Sequence, residues 1–577
     1  MRLDHASHTS GIARAIAIVG LKLCGIFVFV AVTNPNALTW PSQYIEQGRW
    51  LTLVVYLGLW ACALTAILIA AFQVNPWVRS FWAVIIALSS AAGFAFYLVS
   101  GVEISMFDIA SLWAARHELG RALEFYGSAM AWSALVFLFG FIVIAAPSVR
   151  PGAPLRRLLR YLAWAPAFPI MLFAAVIYAK DGGGHYGMSM QFAPLSVAAL
   201  SGARLATKAM PTRERVTWRA DGRKIRHVVL LVDESVRGDY IDWRPGNPYT
   251  PDIASLRDRI INFGHAASGG NCSSYSNALL RFGATRPDLM HSVASNATIW
   301  DYAKTAGFRT VFIDAQAAFL RGPAKLQNFM TPEEKREIDS FNAVEETVAP
   351  PDLDDRLVDI LAETLKSDQP TFVYAIKNGA HFPYDRGYPS TQQIFRPTMS
   401  ESARDDGQAL INSYRNAIRW SVDRVLKRLV DSVPLDDTLI IYTSDHGQNL
   451  STTALSHCSV KNADPREALV PLFAITEEPR LRERLSAGAK TNWGYASHFS
   501  VAPTLLDLFG FKPQDIATKY GPSLFEKPEQ QAEFTSGDIF GLISERVHWN
   551  KIDLSKNYRE REAEKMLSDN SVLPASR

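Results

Sequence analysis

The 577-residue sequence predicts a two-part chain: an α-helical membrane domain of five transmembrane helices, followed by an α/β domain with a mainly parallel sheet. Three observations predict it. Apolar residues crowd into the first third, β-branched runs alternate with helical periodicity beyond it, and acidic and histidine residues follow two of those runs directly.

Five apolar stretches approach the roughly 20 residues that a bilayer crossing needs: Gly11 to Val32, Trp50 to Phe72, Phe81 to Ser100, Tyr126 to Pro147 and Tyr161 to Ala179. The first is no cleaved signal peptide, because its apolar part is too long and further spans follow. Arg150, Arg156, Arg157 and Arg160 lie in the short loop before the fifth span. The positive-inside rule places that loop in the cytoplasm, and Arg79 between the second and third spans agrees. Counting outward, the loops near Asn34 and Glu103 and everything after Ala179 are external. Lys22, near the middle of the first span, reads as a snorkelling side chain, since a charge there costs about 2.5 to 3.5 kcal/mol. The outer loop Glu103 to Leu123 reads as an amphipathic segment at the membrane face, either contacting a lipid headgroup or merely solvated. The expected boundaries are residues 1–180 for the membrane domain, 181–218 for a bridge along the membrane and 219–577 for the α/β domain.

A net charge of +3 and the lack of a long basic run in the polar part exclude a nucleic-acid partner. Cys24 and Cys62 lie in apolar runs, so Cys272 and Cys458 are the only pair available for a soluble disulfide. In the second part, His227 to Val232, Thr310 to Ile313, Thr371 to Ile376, Thr438 to Tyr442 and Leu469 to Ile475 read as strands. Ala297 to Ala306, Leu353 to Leu365 and Gly407 to Leu429 read as helices. Such alternation implies a sheet covered on both faces, with chemistry at the carboxyl ends of its strands.

Two acidic groups stand at those ends. The first strand runs into Asp233 and Glu234, and the fourth into Ser444, Asp445, His446 and Gly447. Carboxylate and imidazole from separate strands are ligands that zinc accepts in a tetrahedral site, although a lone acidic residue after a strand also serves as a helix cap. Gly269, Gly270, Asn271, Cys272, Ser273 and Ser274 form a glycine-rich turn before an apolar run. A hydroxyl there sits at a helix amino terminus, where backbone N–H groups hold phosphate, and a bound cation favours its alkoxide. His381 and His457 follow strand ends as candidates to bind phosphate, protonate a leaving group or hold a second zinc. His498 reads as a buttress of the sheet edge.

These residues resemble the sulfatase and alkaline phosphatase superfamily, and the layout resembles the membrane phosphoethanolamine transferases that modify lipid A. Val229 to Asp239 is similar to the family's first metal motif, which implies Glu234 as a zinc ligand, with Asp233 a further candidate. Tyr442 to Gly447 matches the second, implying Asp445 and His446 as ligands; His381 and His457 match the two histidines near the phosphoryl group. Ala502 to Leu506 resembles the superfamily's closing Pro-Thr-Leu-Leu element.

The resemblance implies an alkaline-phosphatase-like domain in the periplasm, attached to a multi-pass bacterial inner-membrane domain. It further implies zinc-dependent phosphoethanolamine transfer from a phospholipid to an envelope glycolipid or glycan. The sulfatase register favours Ser273 as nucleophile and fourth metal ligand; counting from Cys272 favours Ser274. Asn271 and Glu118 are the expected substrate-binding residues. Phosphoglycerol transfer, phosphodiester hydrolysis and a non-catalytic membrane sensor are the rival readings, the last requiring a damaged metal set.

Overall fold

Backbone groups in hydrocarbon have no water to bond, so an apolar run there must close its hydrogen bonds within a helix. The computed structural model describes residues 3–100, 103–106, 119–149, 151–180, 182–207, 212–316, 330, 332–345, 347–402, 406–451, 456–459, 462–528, 532–537, 539–540 and 547–559. These residues fall into two units that divide between residues 209 and 210.

In the first unit, three helices are long and apolar enough to cross a membrane, with apolar spans Ala15–Thr33, Trp50–Ala71 and Pro76–Leu98. The expectation of five spans is therefore corrected among the described residues to three, or four if a bent helix pair counts as one. Its second helix, Ala165–Ala179, fills the predicted fifth span and meets the first, Ala153–Tyr161, at 45°; the predicted basic loop is therefore largely that first helix. Pro166 and Pro169 lie at the break, and neither has an N–H with which to continue a helical ladder. The predicted fourth span lies in the helix Leu119–Ala145, whose described apolar stretch, Ala129–Ala145, is too short to qualify alone.

Lys22 does not snorkel: its buried ammonium donates to the carbonyls of Ile144 at 3.1 Å and Ala146 at 2.5 Å, capping that helix end. The segment entering the helix Ala193–Thr207 also packs within this unit. Asn34 Oδ1 accepts from the Met190 N–H at 2.7 Å, and Gln191 Nε2 donates to Thr33 Oγ1 at 2.7 Å. Residues 107–118, most of the predicted amphipathic loop and with it Glu118, lie outside the described residues.

The second unit is built on seven strands: β1 (His227–Asp233), β2 (Ile260–Ala267), β3 (Arg309–Asp314), β4 (Ser340–Ala343), β5 (Thr371–Ile376), β6 (Thr438–Ser444) and β7 (Leu469–Ile475). Their order is β2-β7-β6-β1-β5-β3-β4. The pairs from β6 to β4 are parallel, while β7 runs antiparallel to both neighbours, so the mainly parallel sheet is a mixed one. All five predicted strands are present, and β2 and β4 are additional. A separate hairpin pairs β8 (Glu533–Ser536) with β9 (His548–Lys551).

β1 is buried along its whole length because both faces are covered. Val229 and Leu231 pack with Leu357 and Leu426 on one side, and Leu230 and Val232 with Trp300 and Leu505 on the other. Its pairing is unshifted on both edges: His227 faces Thr371 of β5 and Thr438 of β6, so Val232 is level with Ile376 and Asp233 with Ser444. That register brings three strand ends to one height, and the residues after them become neighbours.

The predicted helix Gly407 to Leu429 is present with a change of pitch. Asp406 caps it by accepting from the Gln408 and Ala409 N–H groups. The α-helix Gly407–Ala417 passes into a π-helical segment, Ile418–Arg424, and resumes as Val425–Ser432. This segment presents the Ser421 carbonyl to the ammonium of Lys377, just past the end of β5, at 2.7 Å.

Candidate metal centre and active site

The level strand ends carry Glu234 past β1 and Asp445 and His446 past β6. One ligand atom from each lies within 4.8 Å of the others, and all three residues are buried. His446 Nε2 stands 3.4 Å from Glu234 Oε1 and 3.7 Å from Asp445 Oδ2. The backbone orients each ligand. His446 Nδ1 donates to the Gly447 carbonyl at 2.7 Å, which leaves the Nε2 lone pair for the cluster. Asp445 Oδ1 accepts from the N–H groups of Ser235 at 3.0 Å and His446 at 2.7 Å. Ser235 takes a left-handed conformation, φ 61°, between these groups, and its hydroxyl donates to Glu234 Oε1 at 2.7 Å.

This donor set suits a divalent cation. Asp445 Oδ2 is buried with no hydrogen-bond partner among the described residues, and buried carboxylate oxygens are costly to leave unmet. Burial and then the Glu234 carboxylate push the Asp445 carboxyl up to about 8. Burial lowers the His446 imidazole, but the carboxylates of Asp445 and Glu234 outweigh it and raise it to about 9. Burial also raises Glu234, yet hydrogen bonding and charge from His446 bring it well below the usual carboxylate range. The cluster is short of positive charge, and two carboxylate oxygens with one imidazole nitrogen are the hard and borderline donors that zinc takes.

Ser273 brings a hydroxyl to this cluster. It opens the helix Ser273–Arg281, with Cys272 extended at the cap, so the orphan N–H groups of a helix start surround it. Its Oγ lies 3.1 Å from His446 Nε2 and 3.4 and 3.5 Å from the two oxygens of Glu234. Asn277 Nδ2 donates to the Ser273 carbonyl at 3.0 Å, and Asn277 Oδ1 accepts from the Tyr374 hydroxyl at 2.7 Å. Ser274 is half-buried on the same turn, and its hydroxyl makes no hydrogen bond to the cluster among the described residues. The arrangement places Ser273, and not Ser274, against the metal donors.

The other predicted residues divide. His457 stacks on His446, ring centroids 4.3 Å apart and 15° from parallel, and burial followed by the His446 charge lowers it to about 3. His381 is half-buried on the turn after β5 and contributes to the field at Glu234. Asp233 is turned elsewhere: its Oδ2 accepts from Lys377 Nζ at 2.5 Å and the Tyr442 hydroxyl at 2.7 Å, and its Oδ1 from the Glu234 N–H at 3.0 Å. Asn271 donates to Glu467 Oε2 at 2.7 Å and to the Ser459 carbonyl at 2.8 Å, so its amide N–H groups tie loops together. His498 bridges the nucleophile helix and β6, with Nδ1 3.2 Å from Ser276 Oγ and Nε2 2.8 Å from Thr443 Oγ1. Cys272 and Cys458 form a disulfide.

Sequence reasoning missed Gln316, Lys377 and Asp354. Gln316 donates to Glu234 Oε2 at 2.9 Å and to the Lys377 carbonyl at 3.1 Å. Asp354 accepts from the N–H groups of Asn378 at 2.7 Å and Gly379 at 3.0 Å, fixing the turn that carries His381. Gly379 has φ +53°, and a Cβ there would meet Asp233 Oδ1 at 2.1 Å and the Glu234 carbonyl at 2.6 Å. Gly379→Ala is therefore expected to lose about 1–3 kcal/mol of stability and to weaken metal binding. Thermal unfolding and metal titration of the full chain in detergent check this, and unchanged values for both would refute the close packing.

A family model described as Sulfatase matches residues 226–511. Among curated relatives, the chain is 24% identical over 312 residues to phosphatidylethanolamine transferase Mcr-2 of Escherichia coli, covering 51% of this chain and 55% of the relative. It is 22% identical over 306 residues to phosphoethanolamine transferase EptA of Escherichia coli (strain K12), covering 51% and 54%. The chain thus spans about half the length of the curated relatives it matches. Among solved structures, the integral membrane lipooligosaccharide phosphoethanolamine transferase A of Neisseria meningitidis matches with a TM-score of 0.57 at 16% identity, over 84% of this chain and 95% of that one. At that identity the likeness is one of fold.

Proposed function

We propose that this chain, whose residues 226–511 match the Sulfatase family model, is a zinc-dependent phosphoethanolamine transferase of the bacterial inner membrane. It moves the headgroup of a phospholipid donor to an envelope glycolipid or glycan through a phospho-serine intermediate. The observation that carries this reading is the convergence of Glu234, Asp445 and His446 on the hydroxyl of Ser273. The complete metal set argues against a non-catalytic sensor. The names of the curated relatives support the choice of headgroup. Residues 1–180 embed in the membrane, residues 181–218 lead along it and residues 219–577 form the periplasmic catalytic domain, with Arg79 and the helix Ala153–Tyr161, which carries Arg156, Arg157 and Arg160, on the cytoplasmic side.

Glu234, Asp445, His446 and Ser273 Oγ would hold the ion. Bound there, zinc supplies Lewis acidity that favours the serine alkoxide and offsets charge on the phosphoryl oxygens. Ser273 Oγ attacks the donor phosphorus, the phosphorus–oxygen bond to diacylglycerol breaks, and the phosphoethanolamine group rests on Ser273. N–H groups at the helix start bind the phosphoryl oxygens. His457, held neutral by burial, donates a hydrogen bond to one of them, and His381, on the turn after β5, protonates the departing diacylglycerol oxygen. An acceptor hydroxyl or phosphate oxygen then attacks the same phosphorus, and Ser273 is regenerated.

Mass spectrometry of the full chain after exposure to phosphatidylethanolamine micelles tests the proposal. A phosphoethanolamine adduct on Ser273 is expected. A phosphoglycerol adduct from native lipids would move the assignment to the related transferase, and turnover without a lasting adduct would make it a phosphodiesterase. Chelation should abolish transfer and zinc should restore it; full activity of metal-free protein would remove the cation from the mechanism.

A further inference from the structure

We propose that the Cys272–Cys458 disulfide is a positioning device for headgroup transfer, so that the oxidation state of this pair sets the catalytic rate. The inference rests on Ser273 being the nucleophile. The crosslink joins segments 186 residues apart and lands between two site groups: Cys272 immediately precedes Ser273, and Cys458 immediately follows His457. Few arrangements connect a nucleophile to a distant histidine by so short a covalent path.

The backbone around the crosslink shows what it must hold. Cys458 adopts the left-handed region, φ 62°, which a residue with a Cβ seldom enters unless its surroundings impose it. Its N–H donates to the Asn271 carbonyl at 2.8 Å, and the Asn271 amide returns a bond to the Ser459 carbonyl at 2.8 Å. Glu467 accepts from Asn271 at 2.7 Å and from the Ser459 N–H at 3.1 Å and hydroxyl at 2.7 Å. The bonds through Ser459 and Glu467 fix the chain on the far side of Cys458 from His457, and the Cys458 N–H holds the peptide that joins it to His457. On the near side, the Asn449 N–H donates to the Ser456 carbonyl at 2.7 Å, and His457 Nδ1 stands 2.9 Å from Ser456 Oγ. The disulfide is the covalent link between this loop and the turn that carries Ser273, and it sets the His457 ring against His446. A displacement of order 1 Å in a group that binds the reacting phosphoryl costs rate steeply, while the hydrogen bonds through Glu467 keep the loops in place.

The chemistry of release is simple. A dithiol such as dithiothreitol supplies two electrons and two protons, the sulfur–sulfur bond breaks, Cys272 and Cys458 become thiols, and the reagent closes to its own cyclic disulfide.

The test uses the full chain in detergent with phosphatidylethanolamine micelles. Reduction should lower kcat at least about tenfold with the donor KM within about twofold, zinc content unchanged and activity restored on reoxidation. The double variant Cys272→Ser/Cys458→Ser should show the low rate and ignore the reductant. His457→Gln separates positioning from general loosening: with that ring gone, reduction should change the remaining rate little. A kcat indifferent to both reduction and the double variant overturns the proposal, as does an equal loss on reduction in His457→Gln. Absence of transfer by the oxidised protein would instead overturn the functional reading beneath it.

Discussion

Ser273→Ala is expected to lower headgroup transfer by about four orders of magnitude or more, while zinc stoichiometry stays near the wild-type value. The side chain removed is the one whose Oγ lies 3.1 Å from His446 Nε2 and 3.4 Å from Glu234 Oε2, and the Ser235 hydroxyl is already committed to Glu234 Oε1. Zinc should persist because Glu234, Asp445 and His446 are each held by bonds independent of Ser273: the Gln316 amide, the Ser235 N–H and the Gly447 carbonyl. Ser274→Ala, one residue along the same turn, should retain most of its activity. Transfer assays on purified variants, with metal analysis of the same samples, decide the point. An active Ser273→Ala protein would reject this nucleophile, and an inactive Ser274→Ala protein would restore the register counted from Cys272.

The cluster of Glu234, Asp445 and His446 was legible in the sequence because its three residues follow β-branched runs. β1 and β6 are buried on every residue, so each run is continuous and its end is sharp, and polar residues at such an end belong to the sheet's carboxyl edge. β2 was less visible: Gly264, at φ +82°, breaks its alternation, and its pairing with β7 shifts register between Asn262 and His265. β4 spans only Ser340–Ala343 and alternates in exposure at the sheet edge. The fifth predicted span is set off by a break whose cause was present in the sequence: Pro166 and Pro169 stand in the first turns of Ala165–Ala179 and lack the N–H groups that would join it to the helix before.

The roles of Asp233 and Asn271 depended on partners that no local pattern reveals. Asp233 stands in a metal-like motif beside Glu234, yet its oxygens are taken by Lys377 and Tyr442, which reach it from β5 and β6. The choice between the two carboxylates is made by a cation at the end of a different strand. Lys377 carries no motif, although the register His227 to Thr371 places it level with Asp233.

Lys377→Met is accordingly expected to destabilise the second unit by about 3–5 kcal/mol, the cost of stranding buried carboxylates without their cation. Lys377 is 1% exposed in its side chain; its ammonium lies 2.5 Å from Asp233 Oδ2 and 3.5 Å from Asp354 Oδ2, both equally buried. It also donates to the Ser421 carbonyl of the π-helical segment, so one group ties β1, β5 and two helices together above the metal site. Methionine fills much of the volume without the charge, which separates electrostatics from packing. Adding Asp233→Asn should recover part of the loss, since one of the stranded charges is then removed. Metal affinity should fall with stability, because Asp233 accepts from the Glu234 N–H and sets the strand end from which Glu234 projects. Thermal unfolding in detergent gives the first quantity and zinc titration the second. A Lys377→Met protein as stable as wild type, or a double variant less stable than the single one, would show that the ion pair does not hold the strand ends in place.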